Sequence, residues 1–152
     1  MLLSLLPVLL LFSCGGSNAN KDNQIPVRQL ATTVQCGGVQ TQARVIALQT
    51  KQQMNEFINT PADVDFARER VLMIAMGQQR TGGYGLRLAS TEARINQGVM
   101  DIAVDWRQPS PGSMLIQVIT SPCILISLPQ AKINAIRIID QHKMQKLELK
   151  LQ

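Results

Sequence analysis

The chain has 152 residues, 45% of them hydrophobic and 3% aromatic, with a formal net charge of +5. That length holds one ordinary domain with some sequence to spare, and that apolar content excludes global disorder. Lys and Arg are scattered singly with no basic run, so the positive balance describes a solvated surface, and no nucleic-acid partner is expected.

Residues 1–12 (M-L-L-S-L-L-P-V-L-L-L-F) are almost wholly apolar, and the composition changes abruptly at Ser13-Cys14-Gly15. A dozen apolar residues is too short to span a bilayer and suits the core of a signal peptide. Leu11-Phe12-Ser13-Cys14 resembles the bacterial lipobox, in which the cysteine becomes the lipidated N-terminus; the missing Lys or Arg before the apolar core is a departure from that pattern. The expected organisation is a lipoprotein signal peptide over 1–13, a flexible polar tether over 14–24 and one β-rich domain over 25–152. Cys14 is then the lipidation site. Gly15, not the aspartate that marks retention at the inner membrane, follows it, so the expected location is the periplasmic face of the outer membrane.

Residues 25–34 are apolar but irregular and read as a short edge strand, followed by a turn at Cys36-Gly37-Gly38. Residues 43–48 read as a strand. Thr50 and Gln53 have capping-box spacing, and Met54, Phe57 and Ile58 follow at helical intervals before Thr60-Pro61 ends the helix. The expected helix therefore covers 50–59, with its stripe and Phe66 in the core.

Residues 71–76 (V-L-M-I-A-M) form an uninterrupted apolar run, expected as a central strand buried on both faces. In the next segment Tyr84, Leu86 and Leu88 share one face, which suggests a half-exposed neighbouring strand. Gly82 and Gly83 lie between the two and permit a tight reversal, so a hairpin is expected. Tyr84, just after that turn, is either the packing anchor of the hairpin or a binding tip.

Residues 99–107 alternate, with Met100, Ile102, Val104 and Trp106 on one face and Asp101, Asp105 and Arg107 on the other. The two aspartates sit on the wet face with no second cluster aimed at them, which is a solubilising pattern and not an acid/base pair. Pro109, Pro111 and Gly112 make a rigid loop. Residues 114–119 and 123–128 are apolar runs expected as strands, with Pro122 marking a bulge, a crossing or an edge between them. Residues 133–139 and 146–151 supply the last strands. The fold class is mainly β, a sandwich or twisted antiparallel sheet of about seven or eight strands with one short α-helix; α+β is the alternative.

The residues supply little for catalysis. His142 is the single histidine and forms no familiar metal-ligand spacing with the cysteines, so neither metal nor cofactor is expected. Ser121 precedes a proline and lies outside any G-x-S-x-G elbow. In an exported chain whose Cys14 is acylated, Cys36 and Cys123 remain, and an oxidising compartment favours a disulfide between them over a thiol–imidazole pair of Cys36 with His142. No enzyme is expected.

Three features occur in order: G-x-x-x-T-G-G-Y from Gly77 to Tyr84, P-x-P-G from Pro109 to Gly112, and Thr120-Ser121-Pro122 entering an apolar strand that ends at Pro129. Together they resemble the PrcB C-terminal domain family, named for a lipoprotein subunit of a bacterial surface protease complex. The resemblance covers roughly residues 44–140. It implies a non-catalytic lipoprotein module that binds or stabilises a protein partner, with a protease as one candidate. The expected docking residues are Arg80, Thr81, Gly82, Gly83 and Tyr84 together with Pro109, Pro111 and Gly112. Two alternatives stand beside this reading. One is a chagasin-like protease inhibitor, to whose N-P-T-T-G-Y-type loop residues 80–84 are loosely similar, although the R-P-[WF] partner motif is missing. The other is a structural envelope lipoprotein without a specific ligand.

Overall fold

The computed structural model describes residues 23–38 and 41–152, and within them the chain forms ten strands and one helix. In order these are β1 (Gln24–Pro26), β2 (Arg28–Thr33), β3 (Arg44–Leu48), α1 (Lys51–Phe57), β4 (Glu69–Ala75), β5 (Gly85–Leu88), β6 (Glu92–Asn96), β7 (Val99–Arg107), β8 (Cys123–Pro129), β9 (Ala135–Ile139) and β10 (Gln145–Lys150). Cys14, the signal segment and the tether up to residue 22 lie outside the described residues. The chain is mainly β with one short helix, as its patterning predicts.

The strands divide into two sheets. One has the order β2-β8-β4-β3, antiparallel throughout. The other has the order β1-β6-β7-β9-β10, and β5 also pairs with β7, against 104–107, beyond the end of β6. Every pairing is antiparallel except β7 with β9. The parallel pair is possible because β8, in the opposite sheet, carries the chain back between them.

The alternation along each strand explains the layering. Leu72, Ile74 and Met76 from the β4 segment and Ile124, Ile126 and Leu128 from β8 point into the space between the sheets. There they meet Met100, Ile102, Val104 and Trp106 of β7 and Ile136 and Ile138 of β9. The opposite face of β4 and β8, with Val71, Met73, Ala75, Cys123 and Leu125, is covered by α1 through Met54 and by Cys36. β4 and β8 are thus buried on both sides, which is why their sequences show no polar alternation. Full burial of each such side chain contributes about 1.5–3 kcal/mol, so these two strands dominate the core.

The helix starts as its sequence predicts. The Thr50 hydroxyl accepts from Gln53 N at 3.1 Å, and the Gln53 side chain reaches back to Gln49 N at 2.6 Å, one residue before the cap. The helix ends at Phe57, where Gly37 N donates to Phe57 O at 2.8 Å. A Cβ on Gly37 would stand 1.9 Å from Glu56 O, so the Cys36 turn approaches the helix as closely as only glycine permits. Phe66 is half-buried at the rim of this helix-side core, short of the central position expected for it.

Three expectations are corrected by the pairings. Residues 25–34 do not form one edge strand: the chain changes sheet at the buried Val27, giving β1 in one sheet and β2 in the other. No hairpin forms around Gly82 and Gly83, because β4 pairs with β3 and β8 while β5 pairs with β7 in the facing sheet. Residues 114–119 are not a strand and form an extended loop on the surface. Along the β2–β5 edge the sheets are joined by side chains: Thr32 Oγ1 donates to Leu86 O at 2.8 Å, and Leu88 N donates to Gln29 Oε1 at 2.9 Å.

Candidate functional site

The sequence-predicted loops converge at one end of the sandwich, where β4, β2 and β7 finish and β8 begins. Backbone hydrogen bonds knit the base of this end. Met76 N donates to Pro122 O at 2.9 Å, and Gln79 and Thr120 exchange N–H···O bonds at 2.8 and 2.9 Å. On the other side of the same segment, Ser121 N donates to Val34 O at 2.9 Å and Cys36 N to Ser121 O at 2.8 Å. Residues 120–122 are therefore held between two neighbouring chain segments. Thr120, Ser121 and Pro122 are buried, so the T-S-P motif is the floor of this end and not its surface.

A disulfide closes the floor. Cys36 and Cys123 are bonded, 87 residues apart in sequence and 5.5 Å apart at Cα. With its sulfur in this bond, Cys36 has no thiol to pair with His142, which stands exposed in the turn after β9. Asp101 and Asp105 each face an arginine. Arg137 holds Asp101 with two bonds of 2.7 and 2.9 Å, and Arg87 meets Asp105 at 3.0 Å. Among the described residues no group of three His, Cys, Asp or Glu side chains is placed to hold a metal ion.

Above the floor, the two motif loops lie against each other. The Thr120 hydroxyl donates to Thr81 O at 3.1 Å, and Gly82 N donates to Ile116 O at 3.0 Å. Of the paired glycines, Gly83 takes the left-handed conformation (φ 89°), and a Cβ there would press on Pro109 at 3.1 Å and on Leu115 at 3.2 Å. Its absence lets the 80–84 link and the 109–119 loop pack flush. Tyr84 is half-buried and packs against the inter-sheet core, so it anchors this link. Arg80, Pro111 and Gly112 are exposed, Thr81, Gly82 and Pro109 partly so.

The most exposed apolar side chains here were read from the sequence as strand residues. Met114 is 101% exposed, Ile116 77%, Ile119 60% and Val118 44%, and Val34, bonded through its carbonyl to Ser121, is 51%. Together they are five of the six large apolar side chains that stand exposed among the described residues. Singly exposed apolar residues need no explanation, but a contiguous group marks an interaction surface. No local signal separates the run 114–119 from a core strand, and only its missing partner does.

The end is also cationic. Residues 108–122 contain no charged side chain, and neither Arg80 nor Arg107 meets a carboxylate among the described residues. Asp140, in the turn beside Trp106, is occupied within its own turn. Burial opposes its ionisation, but the N–H groups of Met144 and His142 and the Lys146 ammonium outweigh burial and hold the carboxyl below its usual value.

A family model described as PrcB C-terminal matches residues 70–129. The match runs from β4 through β8 and contains every residue of the two converging loops and the T-S-P floor, in agreement with the resemblance carried by those motifs. No curated protein and no solved structure matches the chain.

Proposed function

We propose that this chain, PrcB-like over residues 70–129, is a lipid-anchored, non-catalytic binding module that docks a protein partner at the stapled loop end. The observation that carries the reading is the meeting of the 80–84 link and the 109–119 loop in one surface that holds five of the six large apolar side chains exposed among the described residues. A surface of this kind, set on a floor braced by a disulfide and backbone bonds, is rigid enough to recognise a partner without a large ordering cost. The family name makes a protease subunit one candidate partner. The lipobox-like Leu11-Phe12-Ser13-Cys14 supports a module tethered in the cell envelope, at the periplasmic face of the outer membrane. The inhibitor alternative has less support, since it asks Tyr84 to enter a protease cleft and that ring packs inward.

The experiment is crosslinking and co-purification from envelope fractions, with the parent chain compared with a Met114→Ser/Ile116→Ser variant and with Cys14→Ser. Both apolar positions are exposed, so the first variant is expected to keep its melting temperature and lose the partner. Cys14→Ser is expected to leave the membrane fraction and to take up no labelled fatty acid. A stable Met114→Ser/Ile116→Ser variant that retains the parent's partner removes the docking reading, and unchanged membrane association of Cys14→Ser removes the anchor.

A further inference from the structure

The docking surface contains a stretch of backbone that is short of hydrogen bonds. Residues 113–119 (S-M-L-I-Q-V-I) are rich in residues that favour strands and carry no charge, yet they belong to neither sheet. The N–H groups of Met114, Leu115, Ile116, Gln117 and Ile119 have no partner among the described residues, and of 114–119 only Val118 N is bonded, to Ile116 O at 3.0 Å. One edge of the stretch leans on the 80–82 link through Gly82 N and Ile116 O. An apolar, β-prone segment with an open row of amides is a template for an added strand.

We propose that residues 113–119 bind their partner by strand addition, and that the occupant is an extended segment of another protein with acidic residues flanking an apolar, β-branched centre. The inference rests on the docking reading above and specifies its mode. Charge complementarity selects the occupant: the exposed Arg80 and Arg107 at this end of the sandwich meet no carboxylate among the described residues, and the stretch itself offers none. A second copy of this chain paired on the same stretch would bring those arginines toward one another, which opposes self-pairing. A lipid surface matches the charge but leaves the open amides without acceptors in hydrocarbon.

The test is amide hydrogen exchange over 113–119 in the purified full chain, with three probes in turn. These are a peptide of alternating Val and Thr with Glu at both ends, the same peptide with Lys at both ends, and phosphatidylglycerol vesicles. The Glu-flanked peptide is expected to slow exchange at these amides by about tenfold or more, and the Lys-flanked peptide and the vesicles to leave it unchanged. Ile116→Pro, which deletes an N–H without a partner among the described residues, is expected to abolish the protection at an unchanged melting temperature, and Ile116→Thr to retain it. The proposal is overturned by no protection from millimolar Glu-flanked peptide, by equal protection from both peptides, by protection from the vesicles, or by protection that grows with protein concentration alone. If any of these occurs while co-purification still depends on Met114 and Ile116, strand addition fails and docking survives. Loss of that dependence is the separate failure of the docking reading.

Discussion

The hydroxyl of Thr120 donates to the carbonyl of Thr81 across 3.1 Å, joining two motifs that lie 39 residues apart in sequence. The bond ties the link between the sheets to the buried strand entry, and the loop of residues 108–119 closes over it. Thr120 is buried, so its donor has no competing water. Thr120→Val, which keeps the shape and removes the donor, is expected to lower stability by about 1–2 kcal/mol because it strands the Thr81 carbonyl, and Thr120→Ser to lower it by less. Urea unfolding of the two variants checks the order; equal losses would assign the effect to packing.

The disulfide is the covalent constraint at this end of the molecule. In the chain-entropy model, closing 87 residues stabilises the fold by about 4–5 kcal/mol. The Cys36→Ala/Cys123→Ala variant is expected to unfold at markedly lower urea and to ignore added reductant, whereas the parent chain should respond to it. Two free thiols titrated in the unreduced, denatured mature chain would contradict the bond.

Tyr84 lies half-buried against the inter-sheet core, and its hydroxyl has no hydrogen-bond partner among the described residues. Tyr84→Ala is therefore expected to cost about 2 kcal/mol of stability, less than a fully buried aromatic, and Tyr84→Phe to stay within about 0.5 kcal/mol of the parent. Thermal unfolding and partner binding measured on the same Tyr84→Ala sample decide between anchor and hot spot. A variant as stable as the parent that no longer binds would make Tyr84 a docking residue after all.

Two carboxylates predict how stability responds to acid. Burial opposes the ionisation of both Asp140 and Glu69, yet hydrogen bonds and cations hold each pKa below its usual value: Met144 N, His142 N and Lys146 for Asp140, Arg28 chiefly for Glu69. A group whose pKa is lower folded than unfolded contributes stability above its unfolded value, about 4, and loses that contribution as pH falls through the lower folded value. Stability should be flat from neutral pH to about 5 and fall below about 4. Asp140→Asn is expected to flatten part of that fall and to leave the part due to Glu69, and unfolding free energies across this range in parent and variant provide the check. An unchanged slope would mean that Asp140 is not held below its ordinary value.

The character of each segment is written in its own residues. The unbroken runs in β4 and β8 meant burial on two faces, the alternation of 99–107 meant one wet face, Thr50 and Gln53 started the helix, and Cys36 and Cys123 made the pair for a disulfide. These properties are local, because a period of two or of 3.6 reports which sides of a segment are covered whatever covers them. Which segments become neighbours follows from the assembled sheets. Gly82 and Gly83 looked like a hairpin, but both edges of β4 are taken, by β3 and β8, so the chain after the glycines crosses to β7 in the facing sheet. Residues 114–119 have the composition of a core strand, but the edges of β8 beside them are filled by β2 and β4. With no open edge of β8 to join, they remain on the surface. Pairing depends on which edges are free, a long-range property that no short window of sequence carries.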